Sequence, residues 1–191
     1  MTTLLGPLDD NEVRIYTLDT GDSEQVRAAT RCILAQLASV RIDLVAFDYG
    51  SKGKPYFRND PALRFSVSHA DAVSLVAVTR VADVGVDIET IRHVPRATAI
   101  ARRFFPPAQL DAIFASGHSD ESFARAWTAA EATVKVRGAS IWEAGTPDPT
   151  VTTREVVAPD GYAATVAVSS PHWTITQFTI DPSVLQRSSF R

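Results

Sequence analysis

The sequence contains a single cysteine, Cys32, among its 191 residues. One cysteine excludes an internal disulfide and any zinc site built on a CxxC pair. The surrounding segment RAATRCILAQLASV reads as a helix with apolar neighbours on either side of the thiol. This context predicts a buried thiol that packs as a small hydrophobic group and takes no part in chemistry.

Two kinds of targeting or binding segment are also missing. No apolar run reaches the ~18 residues that a membrane-spanning helix requires, and the start MTTLLGPLDDNEVRIY lacks the basic region of a secretory signal. Neither the Walker spacing nor a GxGxxG loop is present, so neither common nucleotide-binding fingerprint applies. These absences favour a cytoplasmic protein without a membrane partner.

The chain has fewer basic than acidic residues, with 19 Lys and Arg against 22 Asp and Glu. The formal net charge is -3 at pH 7, so no overall basic field favours a nucleic-acid partner, although a local basic pocket for a small anion is compatible with it. Hydrophobic residues make up 45% and charged residues 21% of the chain, which is typical of a globular protein with a substantial core. The length suits one large domain or two small, tightly packed ones.

The order of the predicted elements indicates an α+β fold with antiparallel sheet. Alternating apolar and polar residues predict strands over 13–18, 63–70, 72–81, 84–91, 151–158, 162–169 and 173–180, and the segment 44–57 holds a strand, a loop and a short extended exit. Apolar residues at helical spacing predict helices over 24–39, 95–105, 106–117 and 120–138. The last helix presents an apolar stripe to the core, formed by Phe123, Trp127, Ala130 and Val134.

The strand VGVDIET carries two acidic side chains on one face. Its alternation places Val84, Val86 and Ile88 on one side and Gly85, Asp87 and Glu89 on the other. Paired carboxylates on a strand are consistent with a solvated or charge-protected edge. They are equally consistent with a site for a hard divalent cation such as Mg²⁺, which prefers oxygen ligands. Gly85 indicates that another group approaches this backbone closely.

A third acid and a lysine share one face of the helix predicted over 120–138. Glu131 and Lys135 are four residues apart, which is the spacing of an ordinary surface ion pair worth a few tenths of a kcal/mol. Combined with Asp87 and Glu89, however, they form a suitable set for a metal-bound diphosphate. The acids would bind the cation, and the lysine would bind the phosphate oxygens.

Two further segments carry polar groups of interest. GSKGKPYF is either a flexible turn or an anion-binding loop in which Lys52 or Lys54 faces a phosphate. In SVSHA, Ser68 and His69 are adjacent on a strand and therefore point to opposite faces, which disfavours a Ser–His dyad. No pair of histidines has the spacing of zinc ligands.

Taken in order, the segments GKPYF, FSVSHA, VGVDIE, RRFFPPAQL and WTAAEATVK resemble the Sfp-type 4'-phosphopantetheinyl transferases. The resemblance covers about 53–138 and implies two similar α/β halves with antiparallel sheets, related by a pseudo-twofold axis, with the active site in the cleft between them. It assigns coenzyme A phosphate and adenine contacts to 1–83, and the metal-binding acids and catalytic helix to 84–191. Such enzymes move the phosphopantetheine arm of coenzyme A onto a serine of an apo acyl or peptidyl carrier protein, require Mg²⁺ and release adenosine 3',5'-bisphosphate.

The resemblance also implies roles for the acids and the lysine. Asp87, Glu89 and Glu131 match the family's metal-binding acids, and Glu131 is in addition a candidate base for the carrier serine. Lys135 matches the helix lysine that contacts the diphosphate, so Glu131 and Lys135 are the expected catalytic residues. Gly85 then leaves room on the face that metal and substrate occupy.

Coenzyme A contacts are implied for two segments. Ser68 and His69 match the pair that contacts the phosphates of coenzyme A. Lys54, with the backbone of Gly53 and Pro55, matches the segment that lies along the adenine and the 3'-phosphate.

Arg31 is similar to a helix arginine that reaches the 3'-phosphate. The chain departs from the family pattern at Ala130, Ser66 and Ala70, where the family has lysine, asparagine and serine. These departures bear on coenzyme A affinity and carrier choice.

We expect a monomer, because both halves lie on one chain. The alternatives are a homologue that binds coenzyme A or a carrier protein without catalysis, and a Mg²⁺-dependent diphosphate hydrolase.

Overall fold

The computed structural model describes residues 6–114, 119–141 and 149–181. Nine strands and four α-helices lie within these residues. The strands are β1 (Glu12–Leu18), β2 (Phe47–Tyr49), β3 (Pro55–Phe57), β4 (Arg64–Ala70), β5 (Val73–Thr79), β6 (Val84–Thr90), β7 (Thr152–Glu155), β8 (Tyr162–Val168) and β9 (Thr174–Ile180). The helices are α1 (Ser23–Leu37), α2 (Ala97–Phe104), α3 (Pro107–Phe114) and α4 (Ser119–Val136). The predicted end of the third helix at Gly117 lies outside the described residues.

The strands form two main sheets and a small hairpin. The first sheet has the order β4-β5-β1-β9, the second has the order β6-β8-β7, and β2 pairs with β3. The predicted α+β fold with antiparallel sheets is confirmed, with one exception. β9 runs parallel to β1, with Ile15 opposite Gln177. Local alternation predicts that a strand exists but not which edge it joins, so this pairing was not predicted.

The position of β9 connects the two parts of the chain. β9 follows β8 in sequence, yet it extends the sheet that contains β1, β4 and β5. Strand pairing therefore crosses the predicted division between 1–83 and 84–191. The division of functional roles between those two segments stays a prediction.

The two sheets pack through their apolar faces, and helices cover the outer faces. The shared cluster includes Val13, Ile15 and Leu75 from the first sheet and Val86, Ile88 and Val166 from the second. Burial of each such side chain stabilises the fold by about 1.5–3 kcal/mol. On the other face of the first sheet, Tyr16 and Leu18 pack against α1, where Cys32 is buried as predicted.

Helix α1 begins at a well-formed cap. The Asp22 carboxylate accepts hydrogen bonds from the backbone N–H groups of Glu24 and Gln25, at 3.0 and 2.8 Å. These bonds satisfy two of the donors that a helix leaves unpaired at its first turn. The cap agrees with the predicted turn before this helix.

Helix α4 lies on β6 and β8 through small side chains. The residues of α4 that are buried at four-residue spacing are Ala124, Thr128, Ala132 and Val136. The predicted stripe is displaced from this line, because Phe123, Trp127 and Ala130 pack in a separate cluster with α2 and α3. Small side chains let the helix backbone approach the sheet closely, but they give only a weak hydrophobic pattern in the sequence. The prediction followed the larger apolar residues instead, and these face α2 and α3.

No helix among the described residues combines the length and the apolar composition needed to cross a membrane.

Candidate active site

Gly85 brings the backbone of α4 onto β6. A Cβ atom at this position would lie 2.0 Å from the carbonyl oxygen of Ala132 and 2.8 Å from the backbone nitrogen of Val136. The predicted close approach is confirmed, and the approaching group is the helix backbone. The explanation that Gly85 leaves room for metal and substrate is therefore wrong, because α4 itself fills the space. This contact fixes Glu131 and Lys135 beside the acids of β6.

Asp87 lies at the centre of the site. The residue is 3% exposed. One oxygen, Oδ1, accepts hydrogen bonds from the Lys135 ammonium at 2.6 Å and from the Ser68 hydroxyl at 2.8 Å. The Lys135 ammonium also donates to Ser68 Oγ at 3.0 Å and to the Val86 carbonyl at 3.3 Å. A predicted metal ligand, a predicted diphosphate contact and a predicted coenzyme A contact therefore meet in one hydrogen-bonded group.

The other Asp87 oxygen, Oδ2, is buried and has no hydrogen-bond partner. A buried carboxylate oxygen without a partner is costly and needs an explanation. A bound cation would provide the missing interaction. This oxygen is the observation that most directly favours a cation site here.

Strand β4 lies beside β6 and binds it through two serines. Ser66 and Ser68 are two residues apart on β4 and both are buried, whereas the next residue, His69, is exposed. Ser66 Oγ accepts a hydrogen bond from the Val86 N–H at 3.1 Å. β6 is an edge strand of its sheet, so this bond satisfies an outward N–H that no strand pairs. Sequence reasoning treated Ser66 only as a departure from the family. Its two-residue spacing from Ser68 was the available signal.

The three acids affect one another electrostatically. Burial raises the pKa of Glu89, and the Asp87 and Glu131 charges raise it further. Burial and the Asp87 charge likewise raise the pKa of Glu131. The pKa of Asp87 is raised by burial, which outweighs the opposing Lys135 and Ser68 contacts. Each acid therefore ionises less readily than usual, and a cation among them would reverse the effect.

Among the described ranges 6–114, 119–141 and 149–181, no group of three or more His, Cys, Asp or Glu side chains is already arranged to hold a metal. Mg²⁺ does not require such a cage, since it commonly takes one or two carboxylates and completes its shell with water and phosphate. The unpaired Asp87 Oδ2 and the raised pKa values of Glu89 and Glu131 fit that mode of binding. The set is chemically suited to Mg²⁺, while the ligand roles stay predictions.

The remaining predicted residues lie around this centre or away from it. Pro55 begins β3 opposite Tyr49, and Gly53 turns the preceding loop with φ +80°. The Lys54 ammonium contacts backbone carbonyls of β6 and α4. Arg31 is engaged elsewhere: its guanidinium donates to the Val45 carbonyl at 2.8 Å and lies over the Phe47 ring. The coenzyme A roles of these residues stay predictions.

The raised pKa of Glu89 predicts how metal-free protein responds to pH. Its folded-state pKa lies above the ordinary value, so its stabilising contribution is complete at acid pH and is lost as pH rises through the raised pKa. Glu89→Gln cannot ionise. In EDTA, the free energy of unfolding of the variant should therefore rise relative to wild type between about pH 4 and pH 8. Urea titrations across that range measure the difference, and a difference that does not change with pH would contradict this electrostatic interpretation.

Comparisons with known proteins agree with the geometry. A family model described as the 4'-phosphopantetheinyl transferase superfamily matches residues 83–172, which contain β6, α4 and β8. The chain is 30% identical over 166 residues to the 4'-phosphopantetheinyl transferase HetI of Nostoc sp., covering 77% of this chain and 70% of HetI. It is 35% identical over 128 residues to AcpT of Escherichia coli strain K12, covering 64% of this chain and 62% of AcpT.

A second transferase named AcpT, from Salmonella typhimurium, is 29% identical over 163 residues, covering 84% of this chain and 81% of the relative. These matches confirm the resemblance drawn from the motifs at 53–138. The chain is a transferase and belongs to the 4'-phosphopantetheinyl transferase superfamily.

Proposed function

We propose that this protein transfers the 4'-phosphopantetheine arm of coenzyme A to a serine of an apo acyl or peptidyl carrier protein, with Mg²⁺, and releases adenosine 3',5'-bisphosphate. One observation carries the proposal. Lys135 from α4 and Ser68 from β4 both donate hydrogen bonds to Oδ1 of Asp87, the acid on β6. The other oxygen of this carboxylate, Oδ2, is buried and has no hydrogen-bond partner. The lysine ammonium is suited to bind phosphate oxygens, and the unpaired carboxylate oxygen is suited to bind a metal ion.

The reaction requires charge neutralisation and the removal of one proton. The oxygen of the carrier serine forms a bond to the phosphorus next to pantetheine, and the bond from that phosphorus to the bridging diphosphate oxygen breaks. The bisphosphate leaves with the bond's electron pair. The serine proton passes to a base. In phosphoryl transfer, catalysis depends mainly on positioning and on neutralising charge on the phosphoryl oxygens.

The residues of the site supply these needs. Lys135 would exchange its contact with Asp87 for the diphosphate oxygens. Glu131 is the candidate base, and its raised pKa brings it closer to the working pH, where a general base contributes about 10²–10⁴-fold. Asp87, Glu89 and Glu131 would hold Mg²⁺, which supplies Lewis-acid stabilisation of the phosphoryl oxygens when bound.

The finer architecture belongs to the same proposal. Two similar α/β halves, 1–83 and 84–191, would place the active site in the cleft where β4 lies beside β6. The support is that α1 covers the first sheet while α4 covers the second, and that contacts from Ser66 and Ser68 join them. We propose a cytoplasmic monomer that acts on coenzyme A and a carrier protein. The net charge of -3 accords with the absence of a nucleic-acid partner.

The proposed activity is tested by incubating the protein with coenzyme A, Mg²⁺ and a panel of apo carrier proteins. At least one carrier should gain the mass of one phosphopantetheine, and EDTA should prevent the gain. A carrier whose acceptor serine is replaced by alanine is the matched control. No gain on any carrier would contradict the proposal.

The same reactions distinguish the two alternatives. A non-catalytic homologue would bind coenzyme A without releasing adenosine 3',5'-bisphosphate. A diphosphate hydrolase would release it at the same rate with and without a carrier. A transferase should release it only when the carrier is present.

A further inference from the structure

Lys54 reaches from the hairpin loop before β3 to the backbone of two other elements. Its ammonium donates to the Val84 carbonyl of β6 at 2.9 Å. It also donates to the carbonyls of Lys135 and Val136 in α4, at 2.9 and 2.8 Å. A lysine ammonium has three N–H donors, and three carbonyls accept from this one. The donors that a substrate phosphate would need are therefore already engaged.

Two of the three carbonyls belong to the end of α4. Gly138 adopts φ +65°, its N–H donates to the Lys135 carbonyl at 3.1 Å, and the Ala139 N–H donates to the Val134 carbonyl at 3.0 Å. This pattern is a Schellman motif, which ends a helix but leaves acceptor capacity on its last carbonyls. A cation at this end also interacts favourably with the helix dipole. Lys54 supplies that cation from a distant part of the chain.

Close packing holds Lys54 in this position. A Cβ atom at Gly138 would lie 2.7 Å from the Lys54 Cβ, so the turn after α4 lies directly against the lysine side chain. Burial lowers the pKa of Lys54 to about 8, whereas the charge of Asp83 opposes that shift. The ammonium is thus partly removed from water and depends on its three carbonyls. These contacts describe a structural clamp more closely than a mobile phosphate ligand.

The clamp acts on the residue at the centre of the site. Lys135 has its backbone carbonyl bound by Lys54 and its ammonium bound by Asp87, and the third carbonyl under Lys54 belongs to β6. We propose that Lys54 is a positioning residue, which ties the last turn of α4 to β6 and thereby places the Lys135 ammonium beside Asp87, rather than a ligand of the coenzyme A phosphate. The kinetic part of this inference rests on the proposed function, and the structural part does not.

The structural part can be tested on the wild-type protein, because the chain has only three lysines, Lys52, Lys54 and Lys135. Acetylation with a lysine-specific reagent is followed by mass spectrometry, with and without adenosine 3',5'-bisphosphate. Lys54 should react more slowly than the exposed Lys52, and the bisphosphate should leave its rate unchanged. If Lys54 instead reacts as fast as Lys52 and becomes protected only by the bisphosphate, it is a phosphate ligand and the inference is overturned.

The kinetic part compares Lys54→Met, Lys54→Arg and the matched control Lys52→Met, each checked for folding by circular dichroism. Lys54→Met should lower kcat by about tenfold to a hundredfold, the cost of a small misplacement of a catalytic group, with KM for coenzyme A nearly unchanged. Arginine binds phosphate well but cannot place one compact ammonium among three carbonyls, so Lys54→Arg should not restore kcat. Lys52→Met removes an exposed lysine from the same loop and should leave kcat at the wild-type value.

A raised KM that arginine corrects would overturn the inference, as would a folded Lys54→Met variant with normal kcat. If wild type itself shows no transfer, the proposed function fails. The labelling result then still decides whether Lys54 is a clamp.

Discussion

Replacing Asp87 by asparagine should reduce phosphopantetheine transfer by at least about 10²–10³-fold, the loss typical of removing one electrostatic contact from a preorganised site. The substitution keeps the shape of the side chain and an oxygen for Ser68 and Lys135. It removes the negative charge that a cation at the unpaired Oδ2 would need. Transfer rates at saturating coenzyme A and Mg²⁺ measure the effect.

The same variant should not be less stable than wild type at neutral pH. Burial raises the pKa of Asp87 despite the Lys135 ion pair, so the ionised carboxylate costs stability once the pH exceeds its ordinary pKa. Asparagine removes that cost, and Lys135 keeps solvent contact because its side chain is 30% exposed. The free energy of unfolding should thus stay within about 1 kcal/mol of wild type or rise.

Lys135→Met is the matched comparison, because it removes the other partner of the Asp87–Lys135 ion pair. It leaves Asp87 without its ammonium partner, so it should lower both transfer and stability at neutral pH, and acidification should restore part of the stability by protonating Asp87. An Asp87→Asn variant that keeps normal transfer, or that loses stability as Lys135→Met does, would contradict the assigned role of this carboxylate.

Replacing Gly85 by alanine should destabilise the protein by about 3 kcal/mol or more, at the upper end of the range for overpacked cores. The added Cβ would lie 2.0 Å from the Ala132 carbonyl oxygen, and real Cβ contacts stay beyond 3.0 Å. The clashing atom belongs to helix backbone and cannot rotate away. Helix α4 must therefore move by about 1 Å, which should also lower transfer by about 10²-fold because Lys135 moves with it.

Urea unfolding of Gly85→Ala measures the loss, and Gly6→Ala is the control, because a Cβ there has no heavy atom within 4 Å. Gly6→Ala should match wild type in stability and transfer. If Gly85→Ala is as stable as Gly6→Ala, the close contact between α4 and β6 does not exist in solution.

The features that the sequence predicted well are those with a local period. Alternation in VGVDIET identified both the buried face of β6 and the face that carries Asp87 and Glu89, and four-residue spacing placed Glu131 and Lys135 on one side of α4. These patterns arise from backbone geometry within a single element. The order of the motifs then identified the family, which the comparisons confirm.

The features that were not predicted depend on contacts between distant elements. Lys54 bonds to backbone carbonyls, and a carbonyl has no side-chain signature in a sequence. The four-residue spacing of Glu131 and Lys135 was compatible with an ion pair along the helix. In the structure, the Lys135 ammonium instead bonds to Asp87, 48 positions away in the sequence. β9 was predicted as a strand, but its parallel place beside β1 follows from the whole topology.

The most direct test of the proposed function is the intact mass of an apo carrier protein after incubation with this protein, coenzyme A and Mg²⁺. We expect the gain of one phosphopantetheine on the carrier serine, one adenosine 3',5'-bisphosphate released for each carrier modified, and almost no gain with Asp87→Asn. A gain that is equal for wild type and Asp87→Asn would contradict the assigned site. The absence of any gain across the carrier panel would contradict the function.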